Sequence, residues 1–272
     1  METRSGRKVR ILHVWNTGGA ASLIAKFSDR LNGTESTVIT RKSADPVGLT
    51  TYGRTYDDGA ARFFLRAITM SGGADIVQVH SLDRLVPWLK RIHPGKPVII
   101  YYLGSDIRGI WDRKAPRWKR ADFVGYSTSD LAEGAPAGAA QMFCPVDTEA
   151  FPASDSARKA NTALSIRYGM DEEVQRYARE KGLELTTVER GSVPYARMPE
   201  LLSRYEYFLD FRRPVGRRTA VECLGKAALE ALSCGCKAVD WEGNVYSGLP
   251  PENRPENVAA AWRGVYQKLL ED

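Results

Sequence analysis

Short apolar runs alternate with helically spaced apolar residues along most of this chain. Val9-Arg-Ile-Leu-His-Val-Trp15 reads as a buried strand, Asn16-Thr-Gly-Gly-Ala20 as a turn, and Leu23, Ile24, Phe27 and Leu31 as one face of a helix. The pattern returns with a strand Ala74-Asp-Ile-Val-Gln-Val-His80, a helix over Leu85 to Ile92, and a strand Pro97-Val-Ile-Ile-Tyr-Tyr-Leu103 ending at Gly104-Ser105-Asp106. A further strand, Asp122 to Ser127, precedes Ser129-Asp-Leu131 and Met142 to Asp147, and the polar stretch Phe151 to Ser156 then lacks apolar periodicity and reads as a link. Beyond it the rhythm restarts: strand Ala163 to Arg167, helix Glu172 to Lys181, strand Leu183 to Val188, helix Met198 to Arg204 and strand Tyr205 to Phe211. A helix opening near Gly225, a short strand Lys237 to Trp241 and an amphipathic helix Glu256 to Leu270 complete it.

Strands that alternate with helices imply parallel sheets covered on both faces. The expected architecture is therefore α/β in two units, residues 1–150 and 151–272, with the last helix a candidate to pack back on the first unit. Two such units with a cleft between them place ligands at the carboxyl ends of the strands.

Composition agrees with this division. A length of 272 residues suits two compact units, and 43% hydrophobic with 26% charged residues is ordinary for globular protein. No internal repeat is visible. No run approaches the roughly 18 apolar residues of a membrane span, and Met1 to Lys8 is polar and basic without a hydrophobic signal core, so a cytoplasmic location is expected. Cys144, Cys223, Cys234 and Cys236 lack paired CxxC spacing and are expected to be reduced thiols. A net charge of +6 suggests an anionic partner without identifying it.

The densest chemistry lies in Val221-Glu-Cys-Leu-Gly-Lys-Ala-Ala-Leu-Glu230. Glu222 precedes a helix and Glu230 lies on it. Gly225 and Lys226 begin that helix, where unpaired backbone N–H groups and the positive dipole end favour a phosphate. A diphosphate held there leaves Glu222 in reach of a sugar and Glu230 able to accept from ribose hydroxyls. Arg212, Arg213, Arg217 and Arg218 precede Glu222 and are candidates to neutralise the diphosphate.

The segment Glu222-x7-Glu230, continuing Ala-Leu-Ser-Cys-Gly-Cys236, resembles the EX7E signature of the group 1 (family 4) retaining glycosyltransferases. Other segments agree in order. Ala74 to His80 resembles the family's ADIVHVH strand, and Leu103-Gly-Ser-Asp-Ile-Arg-Gly109 its HGSDIRG loop. Tyr126 to Leu131, Cys144 to Phe151 and Val193 to Leu202 resemble VSTPDL, PNGVDTERF and VPYEEMPELL. The likeness covers most of the chain. It implies the GT-B architecture, two Rossmann-like domains facing each other across a cleft, with residues 1–150 on the acceptor side and 151–272 binding the nucleotide sugar.

By the same likeness Glu222 positions the transferred sugar, and Glu230 the ribose. Gly225, Lys226, Leu224, Arg167, Arg212 and Arg213 line the donor site. Gly18 and Gly19 let the first turn approach the donor phosphates or the acceptor, or simply form a turn. Asp106 holds a sugar or acceptor hydroxyl, or else caps a helix. His80 matches a family histidine, or else is a structural hydrogen-bonding group. The implied reaction is a retaining, metal-independent sugar transfer in glycan or glycolipid synthesis. It needs no cofactor, and its substrate is a nucleotide-sugar donor, with a UDP- or GDP-sugar expected. The three histidines form no evident metal cluster or Ser-His-Asp arrangement.

Two departures stand out. No lysine follows Arg167 at the family's interval, so either Lys226 or the Arg212 to Arg218 cluster substitutes, or donor binding is weak. Leu103 replaces the histidine of the HGSD loop, and the acidic, glycine-rich segment after the EX7E helix shrinks to Trp241 to Gly248. Arg108 to Arg120 carries six cations against one carboxylate, interleaved with Trp111 and Trp118. It reads as a solvated basic face or as a contact for an anionic acceptor or the inner face of a membrane. The acceptor is expected to be a glycan or lipid-linked hydroxyl, and nucleic acid is disfavoured. The rival readings are a sugar-nucleotide epimerase or a glycoside phosphorylase of the same architecture, and a non-catalytic sugar-nucleotide or nucleic-acid binding protein that retains the fold.

Overall fold

The computed structural model describes residues 1, 6–153, 158–213 and 220–271. Arg217, Arg218 and the Ser154 to Ser156 part of the expected link lie outside the described residues. The chain divides into two compact units, Met1–Pro145 together with Pro255–Asp272, and Val146–Arg254.

The first unit runs β1 (Arg10–Val14), α1 (Ala20–Asn32), β2 (Glu35–Arg41), β3 (Arg54–Tyr56), α2 (Ala60–Ser71) and β4 (Ile76–His80). It continues with α3 (Val86–Ile92), β5 (Val98–Tyr102), α4 (Trp111–Trp118), β6 (Phe123–Tyr126) and β7 (Ala140–Gln141). The helix Pro255–Glu271 belongs to the same unit. The sheet order is β3-β2-β1-β4-β5-β6-β7, and every pairing is parallel. The order reverses direction between β1 and β4, which makes their carboxyl ends the switch point where an α/β sheet opens a crevice.

Every residue of β4 and β5 is buried, as two-sided coverage requires. Alternate residues serve opposite faces. Leu12, Val14, Val77, Val79, Val98, Ile100 and Tyr102 meet Phe63, Leu89 and Trp111 on one side. Ile11, Ile76, Ile99 and Tyr101 meet Ile24, Trp262 and Tyr266 on the other. The carboxyl-terminal helix thus supplies a wall of the first core. It is tied there by hydrogen bonds from Asn32 Nδ2 to the Ala259 carbonyl at 2.8 Å and from the Tyr266 hydroxyl to Gln78 Oε1 at 2.7 Å. Helix α1 stops at Gly33, whose left-handed φ of 67° lets its N–H reach the Ser28 carbonyl.

Several elements carry too little apolar periodicity to be read from sequence. β2 is Glu-Ser-Thr-Val-Ile-Thr-Arg and buries Val38, Ile39 and Thr40 against its neighbours. Helix α4 forms from the basic stretch despite Pro116 inside it, anchored by buried Trp111.

The second unit runs β8 (Lys159–Ile166), α5 (Asp171–Glu180), β9 (Glu184–Val188), α6 (Met198–Leu202), β10 (Tyr205–Asp210), α7 (Lys226–Ser233), β11 (Lys237–Asp240) and β12 (Val245–Ser247). The sheet order is β12-β11-β10-β8-β9, parallel except for the β11–β12 hairpin. Asp171, Glu172 and Glu173 occupy the first turn of α5, where carboxylates favour the helix dipole. The shortened Trp241 to Gly248 segment folds as the hairpin. Its turn is held by Asp240, whose carboxylate accepts from the Glu242 and Asn244 N–H groups at 3.0 and 2.9 Å.

Trp262 has no exposed surface, stacks on Tyr266 and meets Tyr101 and Phe123 edge-on. Trp262→Ala is expected to cost about 3–5 kcal/mol, read as a lowered urea midpoint for unfolding of the first unit.

Candidate functional site

In the second unit, the predicted donor residues lie at the carboxyl ends of β8 and β10 and at the start of α7. Glu230 is buried and accepts from the Tyr195 hydroxyl at 2.7 Å, while Lys226 Nζ lies 2.8 Å from the same oxygen, Oε1. Lys226 also donates to the Tyr195 hydroxyl at 2.9 Å and sits over that ring, 4.2 Å from its centroid. Both contacts fall on Oε1, and Oε2 accepts from none of the described residues. The i, i+4 spacing on one helix face brings Lys226 and Glu230 together. Tyr195 comes from a short 3-10 turn ahead of α6.

The Gly225 N–H, at the head of α7, donates to Asp210 Oδ2 at 2.6 Å. Asp210 ends β10, and Arg212 Nε lies 2.9 Å from its other oxygen. Arg212 also donates to the Cys223 carbonyl, closing the loop between strand and helix. Burial pushes the Asp210 carboxyl up, opposed by the Arg212 charge and the Gly225 N–H. The helix terminus that the sequence assigns to a donor phosphate is thus occupied by the protein's own carboxylate. Arg213 is likewise engaged, 2.6 Å from Glu173 on α5.

Arg167 pairs with Glu189 at 2.7 Å and with Asp171 at 3.4 Å. Glu222 is exposed, and Leu224 is half-buried beside the loop. The structure therefore places two neutralised groups side by side at the start of α7, Glu230 with Lys226 and Tyr195, and Gly225 with Asp210 and Arg212; the sequence-based site lacks Asp210 and Tyr195. Sequence reasoning missed both. The Val193 to Leu202 motif contains Tyr195, and Asp210 is the carboxylate ending a strand, which is the signal that would have found them. A pocket of about 320 Å³ opens nearby, walled by Tyr177, Phe211, Arg213 and Trp241.

In the first unit, Gly18 and Gly19 have φ of 60° and 78°, values that favour glycine. They turn the chain from β1 into α1. The turn is braced by Asn16, whose amide donates to Ser22 Oγ and Thr50 Oγ1 and whose oxygen accepts from the Ser22 N–H. Asp106 folds back on its own loop, accepting from the Leu103 N–H at 3.1 Å and the Gly104 N–H at 2.7 Å. It is half-buried, and both of its oxygens accept from these N–H groups.

His80 has no exposed surface. Its Nε2 lies 3.1 Å from Nδ1 of His13, and its ring meets Tyr101 edge-on. The imidazole lies inside the core of the first unit between His13 and Tyr101. Burial lowers both histidines, His13 to about 4, because a charged ring there has lost its water.

The basic stretch also divides. Trp111 is buried and donates to the Leu131 carbonyl, and Trp118 donates to the Trp111 carbonyl. These tryptophans pack α4 against the core of the first unit. Arg108 pairs with Asp130, and Lys114 and Arg117 with Asp83. Among the described residues, no helix is long and apolar enough to cross a membrane, and no group of three or more His, Cys, Asp or Glu is placed to hold a metal ion.

No protein-family model matches the chain, and no curated protein sequence matches it. Solved structures do. A glycosyltransferase involved in avilamycin A biosynthesis aligns over 97% of this chain and 98% of its own, at 13% identity and a TM-score of 0.60. The fold is GT-B. Two further neighbours align less well. The spinosyn forosaminyltransferase has 14% identity, a TM-score of 0.48, and 97% and 91% coverage of this chain and its own. The UDP-GlcNAc 2-epimerase from Neisseria meningitidis bound to UDP-GlcNAc has 12%, 0.47, and 95% and 92%. At these scores they add nothing to the fold assignment. A GT-B chain has two α/β units, and the clusters above lie at the strand ends of each.

A Cβ at Gly225 would sit 2.9 Å from the Arg212 guanidinium carbon. Gly225→Ala is therefore expected to destabilise the second unit by about 1–3 kcal/mol, measured as a lower urea midpoint. The histidine pair gives a pH signature. Because its folded pKa values are depressed from 6.5, its stabilisation is complete above that pH and is lost as pH falls through about 4. A His13→Leu/His80→Leu variant should show a flatter fall of melting temperature between pH 6.5 and 4 than the parent.

Proposed function

We propose that this chain is a glycosyltransferase that moves a sugar from a UDP- or GDP-sugar to an acceptor hydroxyl, with retention and without a metal ion. The observation that carries the reading is the state of Glu230. The second glutamate of the EX7E spacing is buried one turn into a helix, oriented through Oε1 by Lys226 and Tyr195, with Oε2 uncommitted. A carboxylate fixed in this way is suited to accept from two ribose hydroxyls, and burial makes the loss of such bonds costly.

Glu222, exposed before the helix, positions the sugar. Donor binding requires an exchange of partners at Gly225: the diphosphate takes the N–H now given to Asp210, and Arg212 turns from that carboxylate to the phosphate. Arg167, Arg212, Arg213 and Lys226, the cations assigned here to the donor, are each paired internally. In the transfer the acceptor oxygen forms a bond to the anomeric carbon while the bond from that carbon to the phosphate oxygen breaks. The departing phosphate takes the acceptor's proton, and Arg212 and Lys226 stabilise its charge. Asp106, half-buried after β5, accepts from the acceptor hydroxyl.

The neighbours include a UDP-GlcNAc 2-epimerase, and an epimerase would use the same donor without an acceptor.

The test is a titration with UDP-, GDP-, ADP- and dTDP-sugars followed by product analysis. One donor should bind saturably. Glu230→Ala should weaken it by tenfold or more, and Glu222→Ala should suppress nucleotide release with a smaller effect on binding. Conversion of the donor to its epimer without any acceptor would replace the transferase reading, and absence of binding with both variants behaving like the parent would remove it.

A further inference from the structure

The first unit holds a second concave site, of about 420 Å³, where the segment after β4 faces α4. Its wall contains Ser81, Asp83, Arg84, Arg113, Lys114 and Arg117. We propose that this pocket is a subsite for a phosphate group, carried by the acceptor; that the carrier is the acceptor rests on the transferase reading above.

The charge is the first argument. Four cations share the pocket with one carboxylate. Asp83 is 2% exposed and is consumed from both sides: Lys114 lies 2.7 Å from Oδ2, Arg117 lies 3.0 Å from Oδ1, and the Tyr102 hydroxyl donates at 3.2 Å. It therefore acts as a clamp that fixes two of the cations. Arg84 and Arg113 are exposed and have no carboxylate partner among the described residues. Cations on an open surface spread apart into water. Here they are gathered around a concavity whose low-dielectric walls concentrate their field on whatever enters.

The second argument is the backbone beneath them. Ser81, the residue after β4, has a φ of 64°, a left-handed conformation that side chains rarely adopt, and its buried Oγ has no hydrogen-bond partner. Such strain is held in place by its surroundings and gathers at ligand sites. An unsatisfied hydroxyl on the same wall as four cations supplies a hydrogen-bond donor that matches an anion's oxygen. The site also lies at the carboxyl end of β4, beside the switch point of the sheet, where this class of fold binds ligands.

The chemistry selects phosphate. Guanidinium groups present forked donors that match phosphate oxygens in pairs, and three of the four cations are arginine. A dianion uses charge that a single carboxylate would leave uncompensated. The volume falls in the range of small-ligand sites and accommodates a phosphorylated monosaccharide or polyol, or the headgroup of an anionic lipid.

The test uses the full chain and three probes: glucose 6-phosphate, glucose, and vesicles of phosphatidylglycerol compared with phosphatidylcholine. Binding is followed by calorimetry and vesicle sedimentation, with UDP-sugar binding measured on the same samples. Arg84→Gln/Arg113→Gln should weaken binding of the phosphorylated probe at least tenfold. Lys119→Gln/Arg120→Gln, which removes the same charge from the same stretch outside the pocket, should change it less than twofold. Glucose should not bind. Loss of phosphatidylglycerol binding in the pocket variant alone identifies a lipid headgroup as the source, and loss of glucose 6-phosphate binding alone identifies a soluble ester; either supports the subsite. Equal losses in both double variants, or no phosphate-dependent binding by any probe, overturn it. UDP-sugar binding is expected to be unchanged in the pocket variant. Failure of UDP-sugar binding in the parent therefore strikes the transferase reading while leaving the phosphate result to stand or fall separately.

Discussion

The constraint on which the rest depends is two-sided burial of parallel strands. β4 and β5 have no residue with a face to solvent, so their sequence is committed to packing along its whole length. Polar chemistry can appear only where a strand ends. The consequence is visible in both units. Unusual backbone conformations occur at Trp15 and Ser81, immediately after β1 and β4, and buried carboxylates close β10 and β11 at Asp210 and Asp240. Inside the first core, His13 faces His80 across neighbouring strands and Gln78 bonds to Tyr266. An α/β sheet of this kind separates stability from chemistry along each strand, and substitutions at the two ends should have different phenotypes.

Buried carboxylates recur as organisers of positive charge. Asp210 holds Arg212, Glu230 holds Lys226, and Asp83 holds Lys114 and Arg117. Each pair has two consequences. It lowers the cost of keeping a cation inside folded protein, and it fixes that cation's place before any ligand arrives. The same pairing also raises a barrier, because an incoming anion must compete with a carboxylate already in place. Whether an arginine near a phosphate site aids binding therefore depends on its partner as much as on its charge.

The fold was legible where apolar periodicity was strong. β1, β4, β5, β10 and the carboxyl-terminal helix are all visible from their spacing. β2 was not, because Ser36, Thr37 and Thr40 interrupt its pattern and its place is set by pairing with β1. Helix α4 was hidden by its own charge and by Pro116, and it is a tertiary contact, the burial of Trp111, that anchors it. The site was legible as residue types and spacing but not as partnerships. Glu222, Gly225, Lys226 and Glu230 are adjacent in sequence, yet the residues that occupy their hydrogen bonds, Tyr195 and Asp210, come from other elements. Pairing of this sort is decided by topology, which spacing along a chain does not encode. His80 is a similar case: its burial against His13 and Tyr101 depends on residues of the neighbouring strands, which spacing does not reveal.

The helix Pro255–Glu271 belongs to the first unit although the whole of the second precedes it in the sequence. On the ribosome, the second unit is therefore synthesised in full before the first has received its final wall. During that interval the face formed by Ile11, Ile76, Ile99 and Tyr101 lacks the cover that Trp262 and Tyr266 provide. A nascent chain in this state exposes a broad apolar surface for the time needed to translate more than a hundred residues, which is several seconds at roughly 5–20 residues per second. Its yield in the cell should be governed by chaperone capture and translation speed more than by the equilibrium stability of the finished fold.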